Sequence, residues 1–136
     1  MAGYSQTPLA KKLGIKDGSK TALISAPLSF EKLLGVLPAR ACLQRGLGGK
    51  LAFDVIVVFI TLQAELRRQM AAARARMTPA AGLWIAWPKR ASGVSTNVTE
   101  NVVREIALPT GLVDNKVCAI DAVWSGLRLV IRRELR

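Results

Sequence analysis

The stretch Trp87-Pro88-Lys89-Arg90-Ala91-Ser92-Gly93-Val94-Ser95-Thr96-Asn97 brings two cations, three hydroxyls, a glycine and an amide together in one short segment. It joins an apolar run that reads as a strand to a segment that reads as a helix. The unpaired N–H groups of a helix start, added to those side chains, suit an anion. Lys89, Arg90, Ser92, Ser95, Thr96 and Asn97 are therefore the candidate ligand-binding residues, and Ser25 and Thr61, at the ends of two other strand-like runs, line the same crevice if those strands are neighbours. Other chemistry is excluded or weak. The chain has no histidine, which removes Ser-His-Asp and Cys-His nucleophiles and histidine-based zinc sites. Cys42 and Cys118 lie far apart in apolar surroundings and form no CxxC. No carboxylates are paired for acid–base work, and Asp54 falls at a strand start. Gly46-Leu47-Gly48-Gly49-Lys50 has a phosphate loop's composition, but position 44 is Gln, Leu51 replaces the Ser or Thr, and a strand follows instead of a helix.

The elements that must position these residues follow from the apolar pattern. Residues 20–25 read as a short buried strand ended by Ala26-Pro27, and Ser29 caps a helix carrying Phe30, Leu33, Leu34 and Leu37 that Pro38 closes. Residues 40–44 form a second short strand. Residues 53–60 are a β-branched, nearly continuous apolar run, the pattern of a strand buried on both faces of a parallel sheet. Thr61 then caps a helix whose apolar positions, Leu62, Leu66, Met70, Ala73 and Met77, share one face. Past Pro79 and Gly82, residues 83–87 are another buried strand. Ser95 or Thr96 caps a helix with Val98, Val102 and Ile106 on its inner stripe, stopped by Pro109 and Gly111. Residues 113–120 and 127–133 alternate and are joined by a hairpin-length turn. This order predicts a Rossmann-like, three-layer α/β/α domain: a mostly parallel sheet with a C-terminal antiparallel hairpin and one antiparallel strand near an edge.

Composition sets the company such a domain keeps. The 136 residues carry 20 Lys and Arg against 9 Asp and Glu, a net charge of +11, which favours polyanionic partners. Residues 1–19 read as a basic N-terminal arm and residues 20–136 as one α/β domain. Lys11 and Lys12 of the arm, with Arg128 and Arg132 of the last strand, are the candidate nucleic-acid contacts; Arg128 and Arg132 share the strand face opposite Leu127, Leu129 and Ile131. The same arginines also read as charges protecting a sheet edge from aggregation. There is no apolar leader and no run approaching a membrane span, so no membrane is expected and the cytoplasm is the default.

The order of elements resembles the second half of the S-adenosylmethionine-dependent methyltransferase fold. Phe53-Asp54 opens one matching strand, and Gly82 precedes the next. Along nearly its whole length the chain also resembles a family of small bacterial proteins, mainly actinobacterial, whose domain has no assigned activity. The likeness is carried by Gly3-Tyr4-Ser5, Thr7-Pro8-Leu9-Ala10-Lys11-Lys12-Leu13-Gly14, Leu83-Trp84-Ile85-Ala86-Trp87-Pro88-Lys89, Ala91-Ser92-Gly93-Val94, Lys116-Val117-Cys118-Ala119 and Trp124-Ser125-Gly126-Leu127. An active methyltransferase would have an acid and a glycine-rich turn after its first strand, where Ser25-Ala26-Pro27-Leu28-Ser29 stands here. Its second strand would end in an acid for the ribose hydroxyls, and residues 40–45 contain none. The expectation is thus a non-catalytic, methyltransferase-like domain with no cofactor, binding a small anionic ligand or acidic partner around Lys89. Its alternatives are a nucleic-acid-binding protein, and a methyltransferase holding S-adenosylmethionine through a degenerate loop. Nothing in the sequence selects an oligomeric state.

Overall fold

Six strands form one sheet in the computed structural model, which describes residues 7–136. Residues 1–6, including Gly3-Tyr4-Ser5, lie outside the described residues. The strands are β1 (Lys20–Ile24), β2 (Cys42–Arg45), β3 (Phe53–Phe59), β4 (Met77–Pro88), β5 (Leu112–Ala119) and β6 (Trp124–Ile131), in the order β2-β1-β3-β4-β6-β5. The first four are parallel to one another where they pair, and β6 runs antiparallel to both β4 and β5. The helices are α1 (Leu9–Lys12), α2 (Phe30–Leu34), α3 (Gln63–Arg74) and α4 (Glu100–Ala107).

The apolar pattern of β3 explains the layers. Val55, Val57 and Phe59 face one way and join Leu13, Ile15, Phe30 and Leu34, the buried side chains of α1, α2 and the turn between α1 and β1. Ile56, Val58 and Ile60 face the other way, into Leu66, Met70 and Ala73 of α3 and Val103, Ile106 and Ala107 of α4. Alternation buried on both sides is what a central parallel strand requires. The crossover from β1 leaves on one face and that from β3 on the other, so the sheet has its switch point between these neighbouring strands.

Local readings move at several boundaries. α2 stops at Gly35, whose φ of 72° ends the helix before Pro38 can. α3 spans twelve residues rather than the run from Thr61 to Met77, and its N-cap position is Leu62. α4 starts at Glu100 with Thr99 as its cap, the Thr99 hydroxyl accepting from the Val102 N–H, so neither Ser95 nor Thr96 caps it. β4 begins at Met77, with a register shift against β3 that absorbs Pro79. β6 begins at Trp124, inside the expected turn, and lies within the sheet between β4 and β5. Arg128 therefore sits on an interior strand, and edge protection is no explanation for it.

The described part of the segment before β1 is packed rather than loose. Leu13 is fully buried, and the Trp84 indole N–H donates to its carbonyl at 3.0 Å. Among the described residues, no helix is long and apolar enough to cross a membrane.

Candidate functional site

Two cavities open at the C-terminal end of the parallel strands. One, of about 280 Å³, lies over the switch point and is lined by Ser25 after β1, Phe59 to Leu62 at the end of β3, Glu65 of α3 and Trp124 of β6. The second, of about 560 Å³, is lined by Trp87 to Arg90, the loop residues Gly93 to Thr96, Thr99, Glu100 and Ser125. Trp124 and Ser125 are consecutive, paired with Pro88 and Trp87, so the head of β6 is a wall shared by both cavities.

The partition between them is hydrogen-bonded. The Thr96 hydroxyl donates to the Thr61 carbonyl at 2.6 Å and accepts from the Val98 N–H at 3.1 Å. Asn97 Oδ1 accepts from the Gln63 N–H at 2.8 Å, and the Gln63 amide donates to the Asn97 carbonyl at 2.7 Å. Asn97 thus satisfies the first N–H of α3 from 34 residues away, the work expected of Thr61. Ser92 is likewise committed, donating to the Lys89 carbonyl and accepting from the Val94 N–H within a tight turn closed by Gly93 at φ 77°.

The sequence-derived candidates are distributed accordingly. Lys89, Arg90, Ser95 and Thr96 line the larger cavity, Ser25 and Thr61 the smaller, and Ser92 and Asn97 hold the loop that separates them. Among the described residues, no hydrogen bond or ion pair holds the side-chain nitrogens of Lys89 or Arg90. Glu100, facing the larger cavity, is paired with Arg104. Arg104 also donates to Asp114 at 2.9 Å, and those bonds, to Asp114 first and Glu100 second, raise the guanidinium pKa. Sequence reasoning counted Trp87 only as part of the stretch and did not assign Glu65 or Ser125; sheet order brings the head of β6, with Trp124 and Ser125, to this end. Of the nucleic-acid candidates, Lys11 and Lys12 lie on α1 and Arg128 on the same face of the sheet, while Arg132 falls beyond β6 beside Glu134.

The turn after β1 places a non-glycine residue in a backbone region that favours glycine. Ser25 has φ 57°, the left-handed region that non-glycine residues rarely occupy. The backbone turns at the end of β1 through this residue, and the exposed serine lies beside the smaller cavity. At the end of β2, Arg45 donates to the carbonyls of Ala26 and Pro27 at 3.0 and 3.1 Å and pairs with Glu31. The position expected to be acidic is thus a brace for the turn. Trp124 stacks edge-on to Phe59 at 5.0 Å, and Phe59 edge-on to Phe30 at 4.9 Å, which stiffens the floor beneath.

No family model and no curated protein matches this chain. Solved structures do. A SAM-dependent methyltransferase from Aquifex aeolicus superposes with a TM-score of 0.66 at 15% identity, covering 90% of this chain and 88% of that one. The chain has the methyltransferase fold. Aeropyrum pernix fibrillarin, solved with natively bound S-adenosyl-L-methionine, matches with a TM-score of 0.62 at 13% identity over 94% of this chain and 70% of its own. The Bacillus subtilis tRNA methyltransferase TrmK matches with a TM-score of 0.56 at 12% identity, over 95% and 67%. These likenesses overturn the expectation of a non-catalytic domain that is no enzyme and has no cofactor: solved structures sharing this fold include S-adenosylmethionine-dependent methyltransferases, and the fibrillarin structure holds S-adenosyl-L-methionine. The methyltransferase alternative accounts for the fold better.

Proposed function

We propose that this chain is an S-adenosylmethionine-dependent methyltransferase. The observation that supports the reading is the left-handed Ser25, which turns the chain at the end of β1 beside a cavity on the β1–β3 switch point, in a fold shared with S-adenosylmethionine-dependent methyltransferases. The residues fit the group in that turn and in the cavity. They depart from the usual pattern at the ribose end, where Arg45 stands in place of an acid and is spent on the turn itself. Ser25, Thr61, Phe59 and Trp124 would hold the cofactor, with Glu65 the one carboxylate lining that cavity among the described residues. When bound, S-adenosylmethionine supplies a methyl group on a positively charged sulfur.

The larger cavity is the acceptor's side. Lys89 and Arg90 have charges free to meet a phosphate, Trp87 and Val94 give apolar wall, and hydroxyls of Ser95, Thr99 and Ser125 orient polar edges. With Glu100 committed to Arg104, no lining side chain among the described residues is a free general base. The acceptor is then an atom already nucleophilic, an amine or a ring nitrogen. A net charge of +11 makes nucleic acid the favoured carrier of that atom, as in the tRNA enzyme that shares the fold. The likeness to the small actinobacterial proteins adds a bacterial setting and no activity.

Thermal denaturation with S-adenosylmethionine and S-adenosylhomocysteine tests this first. Ligand at about 100 times its dissociation constant stabilises the fold by roughly 2.7 kcal/mol, a shift of several degrees. Ser25→Val, whose β-branched side chain resists the left-handed backbone of the turn, should remove the shift. An unchanged melting temperature with both ligands sinks the proposal.

A further inference from the structure

At the opposite end of the sheet, an arginine lies half-buried with no ion pair to its guanidinium among the described residues. Arg128 points from the interior strand β6 onto the face covered by α1, and its guanidinium lies over Gly82 of β4. The fit is close: a Cβ at position 82 would stand 2.6 Å from Arg128 Nε and 2.9 Å from Nη2. Glycine inside a strand ordinarily costs stability, and one with this contact marks a close approach. Here the approach is made by a charged side chain. Among the described residues, no hydrogen bond or ion pair engages the Arg128 guanidinium.

The surroundings explain why the charge stays uncompensated. Arg128 lines a cavity of about 340 Å³ with Lys16, the Gly18-Ser19 turn, Asp54 and Thr78. Both carboxylates there are engaged. Asp54 accepts from the Lys20 N–H at 2.9 Å and the Thr78 hydroxyl at 3.2 Å, and Asp17 pairs with Arg40. Lys16 has no acidic partner among the described residues. Burial first, and then the charge of Arg136, push the Arg128 pKa down, which is the mark of a cation short of a counter-charge. An unpaired guanidinium withdrawn from water is costly, and a forked oxyanion relieves the cost.

We propose that this cavity is a second ligand site, in which Arg128, seated on Gly82 and assisted by Lys16, binds an oxyanion, a carboxylate or a phosphate group. It lies at the N-terminal ends of the parallel strands, away from both cavities of the candidate active site, and it does not depend on the methyltransferase reading.

The test is a titration of the full chain with inorganic phosphate, followed by amide NMR at constant ionic strength with chloride as the balancing ion. Phosphate should saturate shifts at Gly18, Ser19 and Gly82. Arg128→Gln should raise the apparent Kd at least about tenfold, the loss of one charge-assisted hydrogen bond. Arg128→Lys, which keeps the charge and loses the fork, should fall between, and Gly82→Ala should weaken binding by displacing the guanidinium. Lys89→Ala should leave these shifts unchanged. A parallel titration with acetate decides between the sources of the oxyanion. No saturable response to either anion, or saturation that survives Arg128→Gln, overturns the site.

Discussion

At the scale of single residues, two side chains sit against the ordinary preferences of their surroundings. Thr21 is 1% exposed, and its hydroxyl has no hydrogen-bond partner among the described residues. Replacing a buried, unsatisfied hydroxyl by a methyl of the same shape removes a desolvation cost, so Thr21→Val should stabilise the chain by about 1 kcal/mol in urea denaturation. A lower midpoint would mean that the hydroxyl finds a partner in solution. Ser25 is the second. The left-handed conformation costs a non-glycine residue roughly 1–2 kcal/mol, part of which glycine gives back through its freer unfolded state. Ser25→Gly should therefore raise stability by about 0.5 kcal/mol and leave S-adenosylmethionine binding intact, whereas Ser25→Val should lose at least about 1 kcal/mol. Equal stabilities for all three would remove the strain argument. Neither feature was legible in the sequence. A serine does not announce a positive φ, so the left-handed bend at Ser25 could not be read from the residue type.

At the scale of elements, the β1–α2 turn is held from β2. Arg45 reaches the Ala26 and Pro27 carbonyls and Glu31 at the start of α2. Hydrogen bonding to Arg45, the largest cause, holds the Glu31 carboxyl below the ordinary carboxylate range. The folded state then binds fewer protons than the unfolded one within that window. This contribution is present above the unfolded carboxylate pKa and lost as pH falls through the lowered folded value. Glu31→Gln should flatten that part of the acid limb of a stability–pH curve while leaving neutral-pH cofactor binding within a fewfold of wild type. An unchanged acid limb would show the pair to be loose in solution. The elements themselves were largely legible: the β-branched run of β3 and the stripe Leu66, Met70, Ala73 could bury themselves in few other ways. What the sequence hid were contacts across distance. Asn97 reaches the start of α3, and Trp124 pairs with Pro88, through sheet order and not through neighbouring spacing.

At the scale of the whole molecule, charge separates the candidate functions from one another. The excess of cations is not spent on ion pairs at the Lys89 cavity, where both side chains are free among the described residues. If the acceptor is RNA, affinity must fall with salt, each phosphate contact adding about 0.7 to the slope of log K against log salt for a single strand. Lys89→Ala with Arg90→Ala should lower that slope by about 1.4 and leave S-adenosylmethionine binding unchanged. A slope that stays the same would send the search for the acceptor to small amines, with the cofactor reading still standing.

The insertion of β6 between β4 and β5 has a consequence in time. This strand is synthesised after every other strand of the sheet, yet it occupies a place inside it. Until it emerges, β4 offers an open row of backbone donors and acceptors, and β5 has no neighbour to pair with. The edge of β4 is therefore covered only once the β5–β6 hairpin can form, and both cavities gain their shared wall only when Trp124 and Ser125 arrive.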